Sequence, residues 1–76
     1  MDKYKNLSGR SGVLSYELGH DYVLVEFKSG YQRFYKYTVP STGLGNIERM
    51  KILAQQGTGL NSYIGLNIKS NYESKW

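Results

Sequence analysis

Between positions 31 and 37 the chain reads YQRFYKY, four aromatic rings crowded against Arg33 and Lys36. Rings interleaved with cations are what a single-strand nucleic-acid platform needs: flat faces accept bases at roughly 1–3 kcal/mol each, and neighbouring Lys or Arg side chains meet the phosphates. Tyr22 adds a ring and Lys28 a cation, while Lys3, Lys5 and Arg10 add positive charge near the amino terminus. The candidate stacking set is therefore Tyr22, Tyr31, Tyr35 and Tyr37, and the candidate phosphate set is Arg33, Lys28, Lys3, Lys5 and Arg10. The same residues support two other readings. Tyrosine fills half-buried strand positions well, burying its ring and leaving its hydroxyl wet. Tyrosine and arginine are also enriched at the hot spots of protein–protein interfaces.

Other chemistry is thinly supplied. His20 is the only histidine and there is no cysteine, so neither a transition-metal site nor a disulfide framework is expected. A nucleophilic serine would have to use His20 as its base, and the carboxylates are scattered, so the chain reads as a non-enzyme without cofactor or metal. The glycine-rich GTGLNSYIGLN at 57–67 lacks the Gly-x-x-x-x-Gly-Lys-Ser/Thr spacing of a P-loop and reads as a turn and helix start.

The elements that must position these residues follow from punctuation and period. Seventy-six residues make one domain with a thin core, and a chain this small buries only about 60% of its unfolded surface. Ten Lys and Arg against six Asp and Glu tilt it toward polyanions. The polar start and the lack of any apolar run near ~18 residues argue against a secretion signal or membrane span, so a cytoplasmic protein is expected. Residues 1–12 are polar, contain Gly9 and Gly12, and predict a flexible basic arm. From Val13 the runs VLSYEL, YVLVEFK and YQRFYKYTV, separated by Gly19-His20-Asp21 and Ser29-Gly30, predict a three-stranded antiparallel meander. After Pro40, Ile47, Met50, Leu53 and Ala54 line one face of an amphipathic helix, with Asn46 as N-cap, Glu48 in the first turn and Gly57 as C-cap. Leu60, Ile64 and Ile68, four apart, predict a second short helix begun by Thr58, after which Tyr72 or Trp76 can tuck back onto the core.

The fold expected is thus α+β, a three-stranded antiparallel meander with one amphipathic helix and a short second helix packed on one face. A two-residue Ser29-Gly30 loop sets Glu26 opposite Arg33 and Leu24 opposite Tyr35. That register sends Val23, Val25, Phe27, Phe34 and Lys36 to the helix side and leaves Tyr22, Tyr31, Tyr35 and Tyr37 toward solvent. A bulge between Tyr31 and Tyr35 would shift this register and turn a tyrosine inward.

The run LVEFKSG, the Tyr35-Lys36-Tyr37 triplet, Val39-Pro40, a helix and Gly-Leu-Asn-Ser-Tyr-Ile at 59–64 together resemble the KTSC domain. That family is named for a segment at the carboxy terminus of some lysyl-tRNA synthetases and also occurs as small single-domain bacterial proteins. The likeness spans roughly Val13 to Tyr72 and implies one KTSC-like domain over 13–76, with RNA binding suggested and no catalytic residues assigned. The function expected is a small non-catalytic binding module for RNA or single-stranded nucleic acid. The alternative is a protein-interaction module, such as a phage or mobile-element encoded regulator or inhibitor, docking through the same aromatic surface.

Overall fold

The structure is a computed structural model describing residues 1–76. Five antiparallel strands run in sequence order: β1 (Asp2–Lys3), β2 (Val13–Leu18), β3 (Tyr22–Phe27), β4 (Phe34–Thr38) and β5 (Ser74–Lys75). Between β4 and β5 come a single turn α1 (Val39–Thr42), the main helix α2 (Leu44–Gln56) and α3 (Leu60–Tyr63), which runs straight into a π-helical turn, Ile64–Ile68. The α+β class and the central β2–β3–β4 meander match expectation. The sheet is wider by an edge strand on each side.

One face of the sheet packs against the helices. Val13, Val23, Val25 and Tyr37 from the strands meet Ile47, Met50, Leu53, Ala54, Leu60, Ile64 and Ile68 from the helices in one buried cluster. The expected helix face of Ile47, Met50, Leu53 and Ala54 is therefore the buried one, and so is the spacing-four set Leu60, Ile64 and Ile68. Gly57 ends α2 in the left-handed conformation, φ 80°, with its N–H donating to Leu53 O. A Cβ there would also come within 2.4 Å of Lys5 Cβ, so glycine is required twice over. Capping at the other end differs from expectation. Gly43 precedes α2, and Asn46 lies inside it, donating to Thr42 O at 2.9 Å and accepting from the Tyr63 hydroxyl at 2.7 Å. Glu48 consequently falls beyond the first turn. The added turn α1 has its own capping box, in which Thr38 and Ser41 satisfy each other's backbone N–H groups.

The hairpin register is one residue away from the two-residue-loop expectation. Glu26 pairs with Phe34, Val25 with Tyr35, Leu24 with Lys36 and Val23 with Tyr37, and the Phe27 N–H donates to Arg33 O at 2.8 Å. Residues 28–33 therefore form the loop, with Gly30 at φ 113° inside it. Because side chains alternate, a slip of one residue exchanges the faces of the whole strand. Tyr35 and Tyr37 turn toward the helices, while Phe34 and Lys36 turn away from them. The shorter loop would have set the Lys36 ammonium against the apolar helix face, a charge with no partner there, and the longer loop avoids that cost.

The first residues are no free arm. Asp2 and Lys3 pair with Tyr16 and Ser15, the Tyr4 N–H donates to Leu14 O, and the Leu7 N–H donates to Gly57 O. Tyr4 is 2% exposed and its hydroxyl accepts from the Leu60 N–H at 3.3 Å. A single aromatic side chain entering the seam between the sheet edge and the helices is enough to anchor the segment, and the backbone pairs follow. No helix is long and apolar enough to cross a membrane.

Candidate nucleic-acid interface

Strand direction sorts the charged residues to the two ends of the sheet. At the end carrying the 28–33 loop lie Lys5, Lys28, Arg33, Lys69 and Lys75, all exposed, against one half-buried carboxylate, Glu26, which accepts from the Ser15 hydroxyl at 2.6 Å. At the opposite end, around the Gly19–Asp21 turn, lie Glu17, Asp21 and Glu48, with Lys51 donating to His20 O at 2.9 Å. The loop end is the positive pole of the molecule, the place where a polyanion is attracted.

Three of the expected phosphate residues converge there. Lys3, Lys5 and Lys28 line one cleft of about 370 Å³ with Tyr4, Val13 and Leu14, and no carboxylate shares it. A bulge at Leu14 lies in its wall, where β2 steps out of register with β3 between Val13 and Ser15. Arg33 is exposed where β4 leaves the loop. Arg10 is separate, in a small polar depression with Ser8, Ser11 and Gly59.

The expected stacking residues fare differently. Tyr31 is wholly exposed at the loop tip and offers both faces to solvent. Tyr22 is occupied: its ring covers Gly19 at 1.9 Å from where a Cβ would stand, its hydroxyl donates to Glu17 Oε2 at 2.6 Å, and the Lys36 ammonium sits 5.0 Å from the ring centroid. Tyr37 is 1% exposed, and Tyr35 is half-buried between Phe27 and Tyr72, edge to face with both at 5.1 Å. These two form the aromatic layer of the core margin and not the open platform that the shorter loop would have produced.

Residues outside the expected set complete this end. A second cleft, about 500 Å³, is lined by Phe27, Tyr31, Tyr35, Tyr37, Lys69 and Lys75 among others, and carries no carboxylate. It is divided from the three-lysine cleft by the backbone where the Lys28 N–H donates to Gly12 O at 2.8 Å. Lys75 lies 5.7 Å from the Tyr35 centroid and 5.3 Å from that of Tyr72. The Tyr72 phenol beside it, with Tyr35, holds the ammonium above its ordinary range, so it stays charged. Lys69 and Lys75 were invisible as site residues because only the fold brings them together, Lys69 at the end of the π-helical turn and Lys75 on the tail that returns as β5. The tail's only forewarning is its aromatic pair: Tyr72 is half-buried, and Trp76 stacks on Phe34 at 5.9 Å on the uncovered face. Nowhere do three or more His, Asp or Glu side chains group so as to hold a metal ion.

Burial of the Tyr37 ring, with Tyr35 and Tyr72 adding to it, pushes its phenol far above the ordinary value. Tyr22 moves the same way, chiefly through its hydrogen bond to Glu17. A raised phenol favours the fold while the unfolded chain also keeps its proton, and that contribution is lost as pH rises from about 10 toward the folded pKa. Urea unfolding followed from about pH 8 to about pH 11 is expected to show falling stability above pH ~10. The fall should be shallower in Tyr37→Phe, and an equal slope in both proteins would show that Tyr37 ionises freely in the fold.

Compared with models of known families, with curated proteins and with solved structures, the chain finds no match in any of the three.

Proposed function

We propose that this chain is a small non-catalytic binding module for single-stranded nucleic acid, RNA in the first instance, engaged at the loop end of the sheet. The observation that carries the reading is the carboxylate-free cleft of Lys3, Lys5 and Lys28 at the same end of the sheet as the 28–33 loop, which carries the exposed ring of Tyr31. Phosphates meet the lysines, Arg33 stands exposed at the far end of the loop, and Tyr31 supplies the fully exposed stacking face that the buried Tyr37 does not. The resemblance to the KTSC domain, resting on the residues quoted for it, points the same way. The competing reading, a protein partner docked on the aromatic surface, is favoured by Phe34 and by Trp76, 52% exposed, on the sheet face that no helix covers.

Salt separates the two. Fluorescence anisotropy with a short mixed-sequence RNA, repeated at stepped salt, should show log affinity falling with log salt. Each of Lys3→Gln, Lys5→Gln and Lys28→Gln should reduce that slope by about 0.7, one counterion's share for a single strand. Tyr31→Ala should cost about 1–3 kcal/mol of binding and Tyr31→Phe almost nothing, because stacking uses the ring. A folded wild-type protein that binds neither RNA nor single-stranded DNA at low ionic strength sinks the proposal in favour of the protein partner.

A further inference from the structure

The second cleft contains an anomaly in the backbone. Apart from Asn6, Lys69 is the only non-glycine residue with positive φ, and its pair φ 55°, ψ −119° is not the left-handed helical region that asparagine tolerates. It is the first central position of a type II′ turn, a conformation natural to glycine. The chain uses glycine freely, nine times in all. Here it places a lysine where glycine would be easier, at the end of a π-helical turn, with its N–H donating to Ile64 O at 2.6 Å. Strained residues and π-helical turns both concentrate where side chains must be aimed at a ligand.

Lys69 lines the same cleft as Lys75, whose ammonium is placed by the rings of Tyr35 and Tyr72. Two ammonium groups without a carboxylate specify an anion. The apolar and aromatic surface of Phe27 and Tyr35 beside them specifies a flat ring on that anion, and Gln32 brings hydrogen-bonding capacity from the loop. The volume, about 500 Å³, falls within the ~300–1,000 Å³ of small-molecule sites. We propose that this cleft is a pocket for one nucleoside monophosphate unit, its phosphate held between Lys69 and Lys75 and its base lying against Phe27 and Tyr35 beneath the 28–33 loop. The proposal rests on the single-strand reading in that the unit is one residue of the bound strand, with the flanking phosphates running over the dividing wall toward Lys28.

The test uses the full chain, isotope-labelled, titrated separately with uridine 5′-monophosphate, adenosine 5′-monophosphate, uridine and inorganic phosphate, and followed by backbone amide shifts. At least one monophosphate should saturate with shifts centred on Gly30–Gln32, Tyr35 and Lys69, and uridine should bind at least tenfold more weakly. Lys69→Gly is the decisive variant: its thermal midpoint should equal or exceed that of the wild type while monophosphate affinity falls about tenfold. Lys75→Gln should show a similar fall. If Lys69→Gly lowers the midpoint and leaves affinity unchanged, Lys69 is structural and the pocket is wrong. Shifts centred on the three-lysine cleft overturn it equally. The RNA anisotropy measurement keeps the two proposals apart. RNA binding without monophosphate binding removes the pocket and leaves the strand reading; monophosphate binding without RNA binding removes the strand reading and leaves the pocket for a free nucleotide. Binding of neither removes both.

Discussion

Tyr37→Ala should be the most damaging single substitution in this domain, costing about 3–5 kcal/mol, the range for deleting a buried aromatic ring. Tyr37 is 1% exposed, stacks on Tyr35 at 6.4 Å and meets Tyr72 edge-on at the same distance, so the void it leaves is walled on several sides by rings that cannot collapse into it. Total stabilities of small domains run from about 5 kcal/mol upward, so the variant should be largely unfolded at moderate temperature. Phe27→Ala and Tyr35→Ala, both at half-buried positions, should cost less and leave a cooperative transition. Urea titration of the three variants side by side checks this order. If Phe27→Ala unfolds the protein while Tyr37→Ala melts like the wild type, the hairpin has the two-residue loop and the register described above is wrong.

The second large effect is that of the amino-terminal segment. Deleting Met1 to Arg10 removes β1, the Leu7–Gly57 backbone bond and Tyr4, which carries both a buried ring and the acceptor for the Leu60 N–H. The loss should exceed that of Tyr4→Ala alone, itself expected at about 3–5 kcal/mol, since it also bares the edge of β2 and the end of α2. Loss of a sigmoidal thermal transition in the truncated protein is the expected result. A truncation that melts at the wild-type temperature would return the segment to the status of a solvated arm.

The contrast between these two regions shows where sequence reading succeeds. Period and punctuation act over short distances, and what they govern was legible: the three strands of the meander, α2 with its buried face of Ile47, Met50, Leu53 and Ala54, its left-handed end at Gly57, and the apolar line of Leu60, Ile64 and Ile68. Each depends on local backbone preference and on which side chains shun water. The basic character of Lys3, Lys5 and Lys28 was legible too, being a matter of composition.

Tertiary structure alone decided the rest, and for one physical reason: it turns on which of several nearly equivalent partners a segment meets. YQRFYKY sets Phe34 beside Tyr35, so both faces of the strand carry rings and either register buries some, and the choice fell to the Lys36 ammonium, which no apolar helix face can accept. Tyr4 has no apolar neighbour to announce a strand. Its burial became favourable only once β2 and the start of α3 stood together, so that the ring joins the core cluster and the hydroxyl meets the Leu60 N–H. Lys69 and Lys75 joined a site because the five residues between them bend back along β4, and nothing in KSNYESKW encodes that return except the rings of Tyr72 and Trp76, which it brings to Tyr35 and Phe34. A surface built by distant segments meeting at one end of a sheet exists only once the sheet does.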